Sequence, residues 1–469
     1  MGRSGNMTRS KLGTDSAPGR AIVLDVVGLR PEHLDGERTP KLSELLGGSS
    51  THLRPQFPAL TVPAQTTMAT GQSPATHGDI ASGSYDRTRD EVEFWSRDRG
   101  DRERIWEAAS EAGLTTGVLF FQHLIGTTAD VAITPSPIED EDHNLIEMNC
   151  WTNPDGLYEE LRTEHGHFPL HNYWGPAAGE PSSRWIFTAA RKVIERFDPD
   201  LLWVYVSHLD YIGLRTGPDS EAFDSALETV DGLVGVFLDG LREDDRWSET
   251  VVNVVSEYGF HGVDTPVFPN RALRAEGLLS TRDGDEGEGG DVDLDASDAF
   301  ALVDHQLAHV YVAGGATGAA RQMLADLDGV DRLLVGDERA EYGIDHPDAG
   351  DLVLVAEPDA WFQYYWWTDP EDAPDYARSV DIHRKPGFDP CELFLDDDGM
   401  ISLDPTRVGG SHGRVDDPGR GCYGLGGPAA PETELPAEVD ARAVAPTLAA
   451  LLGVEDDLGM NFEVGSAFD

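Results

Sequence analysis

The sequence AIVLD at residues 21–25 places an aspartate directly after a short apolar run. Two later stretches have the same form, LLWVYVSHLD at residues 201–210 and TVVNVVSE at residues 250–257. Apolar runs without polar alternation are typical of strands in a parallel sheet that is covered on both faces. Because ligands of such sheets bind beyond the carboxyl ends of the strands, we expect Asp25, Asp210 and Glu257 to lie near one another.

Amphipathic stretches separate these and other short apolar runs. The pattern predicts an α/β fold with a mostly parallel sheet, formed as one domain over residues 20–465 after a polar tail at residues 1–19. The further predicted strands are Thr116–Phe121, His309–Ala313 and Leu352–Ala356, and the predicted helices are Arg104–Ala112, Ser183–Phe197, Glu221–Leu241 and Val439–Val454.

The chain is strongly acidic. Its 469 residues include 35 Lys plus Arg and 86 Asp plus Glu, a formal charge of −51. Such a charge repels nucleic acid and anionic membrane surfaces, and no apolar run is long enough for a membrane span. With 39% hydrophobic residues the chain is expected to fold. Because concentrated salt screens surface repulsion, the composition predicts a soluble protein of a high-salt cytoplasm.

The three acidic residues at strand ends have two interpretations. Each one alone is often an N-cap or turn residue. Together with His412 in the Gly-bounded sequence GGSHGR (residues 409–414), they are also the donor types of a divalent-cation site.

A candidate nucleophile lies in PQFPALTVPAQTTMATGQSPATHG, residues 55–78. The segment predicts a short helix that ends at Gly71, with Thr61 near its N-cap. Thr61 is either only this cap or a nucleophile. The helix dipole alone activates an alcohol too weakly, so a catalytic Thr61 requires a metal ion.

The order of these pieces resembles the type I phosphodiesterase and nucleotide pyrophosphatase family of the alkaline phosphatase superfamily. The motifs are LDVVGLRP, the Thr61 segment with SPATHG, HLDYIGLRTGP, SEYG, GSHG and VAPTLAALLG. The resemblance implies an α/β/α sandwich with an inserted cap, placed at residues 265–405. It also implies two divalent metal ions, expected to be zinc with manganese or magnesium as alternatives. Thr61 and Asp25 would face one ion, and Asp210 and His412 the other.

Three positions depart from the family pattern. Leu214 stands where the family has a histidine, Glu257-Tyr258 replaces Asp-His, and Ser82 replaces an asparagine that binds the phosphoryl group. Either other residues supply the missing ligands, or one metal site is weakened or absent. The candidate replacements are His208, His305, His309 and His383.

The part of the site that binds the substrate is expected to combine cationic and aromatic side chains. Arg215 and the pair Arg384 and Lys385 are candidates for binding phosphate oxygens. The aromatic run Trp361–Trp367, with Tyr173 and Trp174, would form either a pocket wall or core packing.

The sequence therefore predicts a metal-dependent hydrolase of small phosphoric esters, of the diester or pyrophosphate type. A phosphonate hydrolase and a non-catalytic phosphate-ligand or partner-binding module are the alternatives. A sulfatase is disfavoured, because the sequence from Thr61 to Gln65 lacks the Cys or Ser and the Arg of the sulfatase motif.

Overall fold

The computed structural model describes residues 18–89, 91–140, 145–282 and 290–469. Its centre is a nine-stranded sheet. In spatial order the strands are Glu438–Asp440, Ser50–Arg54, Gly421–Gly426, Thr250–Val255, Arg20–Val26, Leu201–Val206, Thr116–Leu119, Val131–Pro135 and Cys150–Asn153. The five strands from Thr250–Val255 to Val131–Pro135 are parallel. The mainly parallel α/β prediction is confirmed.

Both faces of the sheet are apolar. Along Arg20–Val26, Ile22 and Leu24 belong to the larger core cluster, whereas Ala21 and Val23 belong to a second cluster on the opposite face. Since side chains alternate across a strand, this division requires helices on both sides. The chain thus forms an α/β/α sandwich, as predicted.

The helices of the described residues cover these two faces and the inserted segment. They are Pro40–Leu46, Thr61–Thr70, Pro74–His77, Ile105–Glu111, Leu157–His165, Glu180–Phe197, His208–Thr216, Glu221–Arg242, Pro269–Ala275, Thr317–Ala325, Asp337–Glu341 and Val444–Leu452. None of these helices has the length and apolar character that a membrane crossing requires. The predicted helix Val439–Val454 begins later, at Val444, because Glu438–Asp440 pairs with Ser50–Arg54.

Residues 265–405 contain a separate four-stranded antiparallel sheet, which is where the cap is predicted. Its strands, in spatial order, are Ala299–Asp304, Leu307–Val312, Leu352–Ala356 and Val330–Leu334. Shorter pairs are Gly83–Asp86 with Glu91–Phe94, Ile138–Glu139 with Leu145–Glu147, His261–Gly262 with Gly410–Ser411, and Thr265–Val267 with Ala360–Phe362. Most of the predicted polar tail, residues 1–17, lies outside the described residues.

Candidate active site

Three neighbouring parallel strands bring the predicted acidic residues to one edge of the sheet. Asp25 is the sixth residue of Arg20–Val26 and pairs in register with Tyr205 and Val255. Glu257 follows Val255 by two residues, and Asp210 lies in the first turn of helix His208–Thr216. The arrangement matches the expectation for the carboxyl ends of parallel strands.

Thr61 is the first residue of helix Thr61–Thr70. The preceding residue, Leu60, is extended and takes the N-cap position, so Thr61 lies next to the N-cap, in agreement with the prediction of Thr61 near it. Gly71 ends the helix with a φ of 70°, as expected for a left-handed C-cap. The Thr61 side chain lines a cavity and its Oγ1 lies 2.7 Å from the hydroxyl oxygen of Tyr258.

Tyr258 connects Thr61 with Asp210. Its hydroxyl lies 3.5 Å from Asp210 Oδ1, and its ring stacks on His412 with a centroid distance of 3.9 Å. In the sequence, Tyr258 was notable only because it replaces a histidine of the family pattern. Its hydrogen bond to Thr61 spans 197 positions in the chain, which no local pattern indicates.

Asp25 and Glu257 are buried carboxyl groups with oxygens that lack a partner. Trp203 Nε1 donates to Asp25 Oδ2 at 3.2 Å. Asp25 Oδ1 and both carboxyl oxygens of Glu257 have no hydrogen-bond partner among the described residues. Burial raises the pKa of both groups, and the charge of Asp25 raises the pKa of Glu257 further. A cation bound here would compensate two charges that are otherwise costly to bury.

Asp210 and His412 form a second pair. His412 Nδ1 donates to the carbonyl oxygen of Ala59 at 2.9 Å, so its buried Nε2 carries a lone pair, and this nitrogen lies 3.7 Å from Asp210 Oδ1. Burial raises the pKa of Asp210 to about 7. Leu214 is buried and adds no donor atom.

The two pairs fit metal ions to different degrees. Asp25 and Glu257 form an all-oxygen pair with orphaned carboxyl oxygens, which fits one divalent cation. Asp210 and His412 supply two donors, fewer than a zinc site uses. Across residues 18–89, 91–140, 145–282 and 290–469, no group of three or more His, Cys, Asp or Glu is arranged to hold a metal ion.

The four histidines predicted as replacement ligands have different environments. His309 is in the core, where its two ring nitrogens contact the backbone of Gly350 and Ile80, so its role is structural. His208 is largely buried outside the cavity lining. His383 lines the cavity, 3.3 Å from Glu139. His305 also lines the cavity, and its ring lies 3.8 Å from the ring of His412.

The predicted phosphate-binding residues do not assemble into one patch. Arg384 lines the cavity and pairs with Asp381 at 2.6 Å. Arg215 donates instead to the carbonyl oxygens of Gly175, Pro176 and Ala178. Ser82 is buried, and its backbone N–H donates to Asp304. A substrate contact by Arg215 is therefore corrected to a structural role.

The predicted role of Lys385 in phosphate binding also needs correction. Its ammonium group is buried and donates to Asp389 at 2.8 Å, Glu392 at 2.7 Å and the carbonyl oxygen of Ser379 at 3.0 Å. Burial lowers the pKa of Lys385, but the two carboxylates outweigh burial and hold it above the usual value. With three hydrogen bonds made, the ammonium group has no donor left for a phosphate.

We expect Lys385→Met to lower the free energy of unfolding by about 3–5 kcal/mol, because it leaves two buried carboxylates without their cation. The control is Lys192→Met, whose ammonium group pairs with Glu195 on the surface and should contribute under about 1 kcal/mol. Denaturant unfolding measures both. Equal stability of the two variants would contradict the assignment.

The cavity beside Thr61 has a volume of about 680 Å³. Aromatic side chains form much of its wall, namely Trp95, Tyr173, Trp174, Tyr205, Tyr211 and Phe388. Tyr173 and Trp174 therefore lie where the pocket interpretation placed them. The run Trp361–Trp367 is buried away from the lining and packs in the core.

The family model described as type I phosphodiesterase / nucleotide pyrophosphatase matches residues 21–389. An uncharacterized pyrophosphatase/phosphodiesterase of Schizosaccharomyces pombe is 22% identical over 278 residues, which are 57% of this chain and 49% of that protein. Ectonucleotide pyrophosphatase/phosphodiesterase 1 of Saccharomyces cerevisiae is 27% identical over 297 residues, 56% of this chain and 36% of that protein. This chain thus spans about half or less of the length of these relatives.

Two solved structures share the fold. Inactive murine ectonucleotide pyrophosphatase/phosphodiesterase 5 in complex with AMP has a TM-score of 0.59 at 15% identity, covering 95% of this chain and 97% of that one. Phosphonoacetate hydrolase from Sinorhizobium meliloti in complex with phosphonoformate has a TM-score of 0.58 at 17% identity, covering 94% and 96%.

Proposed function

Because this chain belongs to the type I phosphodiesterase and nucleotide pyrophosphatase family, we propose that it hydrolyses small phosphoric esters through Thr61. The observation that carries the proposal is the position of Thr61. Its hydroxyl lies at a helix N-terminus, on the wall of the cavity, in a hydrogen bond to Tyr258. The buried carboxyl groups of Asp25 and Glu257 at the same edge of the sheet provide the donors for a cation.

The family typically uses two divalent metal ions. Asp25 and Glu257 would hold one ion near Thr61, and their oxygen donors suit magnesium or manganese as well as the zinc that the family resemblance implies. Asp210 and His412 are the remaining donors for a second ion, which would be weakly held. A bound cation supplies charge stabilisation at the phosphoryl oxygens and lowers the pKa of a coordinated hydroxyl.

The reaction has two halves. Thr61 Oγ1 bonds to phosphorus and the bond from phosphorus to the leaving oxygen breaks, while the proton of Thr61 passes through the Tyr258 hydroxyl towards Asp210. The leaving group departs as an alcohol after gaining a proton from solvent, and Asp210 returns to solvent the proton that it accepted. Water then bonds to phosphorus, the bond to Thr61 breaks, and Thr61 regains a proton.

The charge of −51 supports the further proposal that the protein works in a salt-rich cytoplasm. The first experiment therefore incubates the purified chain in concentrated salt with bis-nitrophenyl phosphate and zinc, manganese or magnesium. Release of nitrophenol that requires a cation is expected. No release with any of the three ions would contradict the proposal.

Two alternatives have distinct outcomes when a phosphonate substrate and a measurement of phosphate-ester binding are added to this experiment. A phosphonate hydrolase would cleave a phosphonate but not the phosphodiester. A non-catalytic module, suggested by Leu214 and Tyr258, would bind a phosphate ester without cleaving it. The aromatic wall favours the ester, because such a wall suits an organic group larger than that of a small phosphonate.

Exposed apolar residues near the cavity lead to a prediction about the leaving group. Leu145, Val380 and Leu395 line the cavity although they are 39–47% exposed, and Ile146 lies beside Leu145. We expect Val380→Ser with Leu395→Ser to raise the KM of an octyl nitrophenyl phosphate about 10-fold, since roughly 1–2 kcal/mol of apolar contact is lost.

Methyl nitrophenyl phosphate is the comparison substrate, because its methyl group is too small to use the apolar contact. Its KM should stay unchanged in the variant that carries both Val380→Ser and Leu395→Ser. The matched control is Val236→Ser, because Val236 is 60% exposed on helix Glu221–Arg242 and lies outside the cavity lining. Steady-state kinetics with both esters make the comparison. The same KM increase for both esters would contradict an apolar leaving-group site.

A further inference from the structure

His305 is held in an unusual conformation beside the active site. It begins the two-residue turn that joins strands Ala299–Asp304 and Leu307–Val312, with a φ of 57°. A left-handed conformation is uncommon outside glycine and costs about 1 kcal/mol or more. Two backbone hydrogen bonds nevertheless fix the turn. Phe362 N donates to the carbonyl oxygen of His305 at 2.8 Å, and Gln306 N donates to the carbonyl oxygen of His412 at 3.0 Å.

Asp304 sets the orientation of the His305 ring. His305 Nδ1 lies 2.8 Å from Asp304 Oδ1, and the other oxygen of Asp304 accepts from Ser82 N at 2.7 Å. Both side chains are at most 3% exposed. Since Nδ1 donates to the carboxylate, Nε2 on the far side of the ring carries a lone pair.

The surroundings of His305 place it on the wall of the cavity that Thr61 also lines. Its ring is stacked on Phe388 at 3.7 Å and lies 3.8 Å from the ring of His412, and it lines the same cavity as Thr61 and Asp210. At position 214, the buried leucine offers no acceptor for a water molecule. His305 supplies an acceptor at the wall of the cavity, whereas Leu214 lies outside the cavity lining. His309, on the same hairpin, has both ring nitrogens in backbone contacts.

We propose that His305 is a further catalytic residue, which binds through Nε2 the water that hydrolyses the Thr61 phosphoenzyme, and that Asp304 is its positioning residue. This proposal rests on the function proposed above. The water oxygen bonds to phosphorus as the bond from phosphorus to Thr61 Oγ1 breaks. One hydrogen of the water stays on the new P–OH group and the other passes to Thr61 Oγ1, so the step needs no further reactant.

The test separates the two half-reactions. With bis-nitrophenyl phosphate, His305→Ala should release about one nitrophenol per chain and then slow at least 100-fold, because attack by Thr61 remains and hydrolysis of the intermediate is lost. Intact-protein mass spectrometry of the quenched reaction should detect the nitrophenyl phosphoryl group, and peptide mapping should place it on Thr61. The holoprotein in concentrated salt is used throughout.

Two further variants test the orientation. His305→Gln retains a hydrogen-bond acceptor and should accumulate less adduct, which also preserves the test if His305→Ala fails to fold. Asp304→Asn should accumulate the adduct on Thr61, while the rate at which the first nitrophenol is released stays unchanged. A general loss of stability would not produce this combination. His309→Gln is the control and should behave like the unaltered chain.

Three outcomes would overturn the role of His305. One is normal turnover without adduct in His305→Ala. Another is that His305→Ala loses both the release of the first nitrophenol and the steady turnover. The third is one metal ion fewer per chain in His305→Ala than in His309→Gln, which would make His305 a metal ligand. If the unaltered chain neither turns over nor forms an adduct, the proposed hydrolase function itself fails.

Discussion

Thr61→Ala is expected to lower kcat for phosphoric ester hydrolysis at least about 1,000-fold, because the chain loses the atom that bonds to phosphorus. Thr61→Ser should retain part of the rate, since it keeps a hydroxyl at the start of helix Thr61–Thr70. Initial rates at saturating cation measure both variants. The melting temperature should change little, because the alanine loses only the hydrogen bond to Tyr258.

Thr70→Ala provides the matched control on the same helix. Thr70 is also buried, and its hydroxyl donates to the carbonyl oxygen of Thr66. The Thr70 hydroxyl also accepts from Gln72 N at 3.2 Å, so the variant loses one hydroxyl and two hydrogen bonds at the far end of the helix, at least as large a local change as in Thr61→Ala. Full activity is expected for Thr70→Ala. Full activity in Thr61→Ala would show that another group attacks phosphorus.

The sequence was sufficient for the framework of the site. The apolar runs that precede Asp25 and Glu257 require buried parallel strands, and parallel strands place their carboxyl ends together. Gly71 likewise indicated the end of the Thr61 helix, because its φ of 70° suits glycine. These features depend on local patterns and on general rules of sheet topology.

The contacts made across the site were beyond sequence reasoning. Asp304 is adjacent to His305, but only the fold shows that their turn packs against His412 and lines the cavity. Lys385 was expected to bind phosphate because it forms a pair of adjacent cations with Arg384. Its partners Asp389 and Glu392 lie four and seven residues further along the chain. No helical periodicity in the sequence indicates that these three side chains are buried together.

The largest effect on stability should come from pH in the cation-free protein. Burial raises the folded-state pKa of Asp25, Asp210 and Glu257 above the unfolded values near 4. The folded state therefore keeps protons that the unfolded state releases, so the free energy of unfolding falls as pH rises from about 4. For Asp210 this loss is complete above its folded pKa of about 7.

A divalent cation should reverse this loss. Because it binds the deprotonated carboxylates of the folded state, it should stabilise the protein by about 3 kcal/mol at 100 times its Kd, and more strongly at pH 8 than at pH 5. Thermal and denaturant unfolding in chelator and in added manganese measure the effect. Constant high salt limits the contribution of the surface carboxylates.

The variants Asp25→Asn and Glu257→Gln distinguish the stability effect of this site from that of the other acidic residues of the chain. Each removes one buried charge, so each variant should be more stable than the unaltered chain in chelator at pH 8 and should respond less to manganese. The control Glu195→Gln changes a carboxylate that is 52% exposed and should leave both quantities unchanged. If manganese stabilises Asp25→Asn and Glu257→Gln as much as it stabilises the unaltered chain, the cation binds elsewhere, and the activation of Thr61 by this site is excluded.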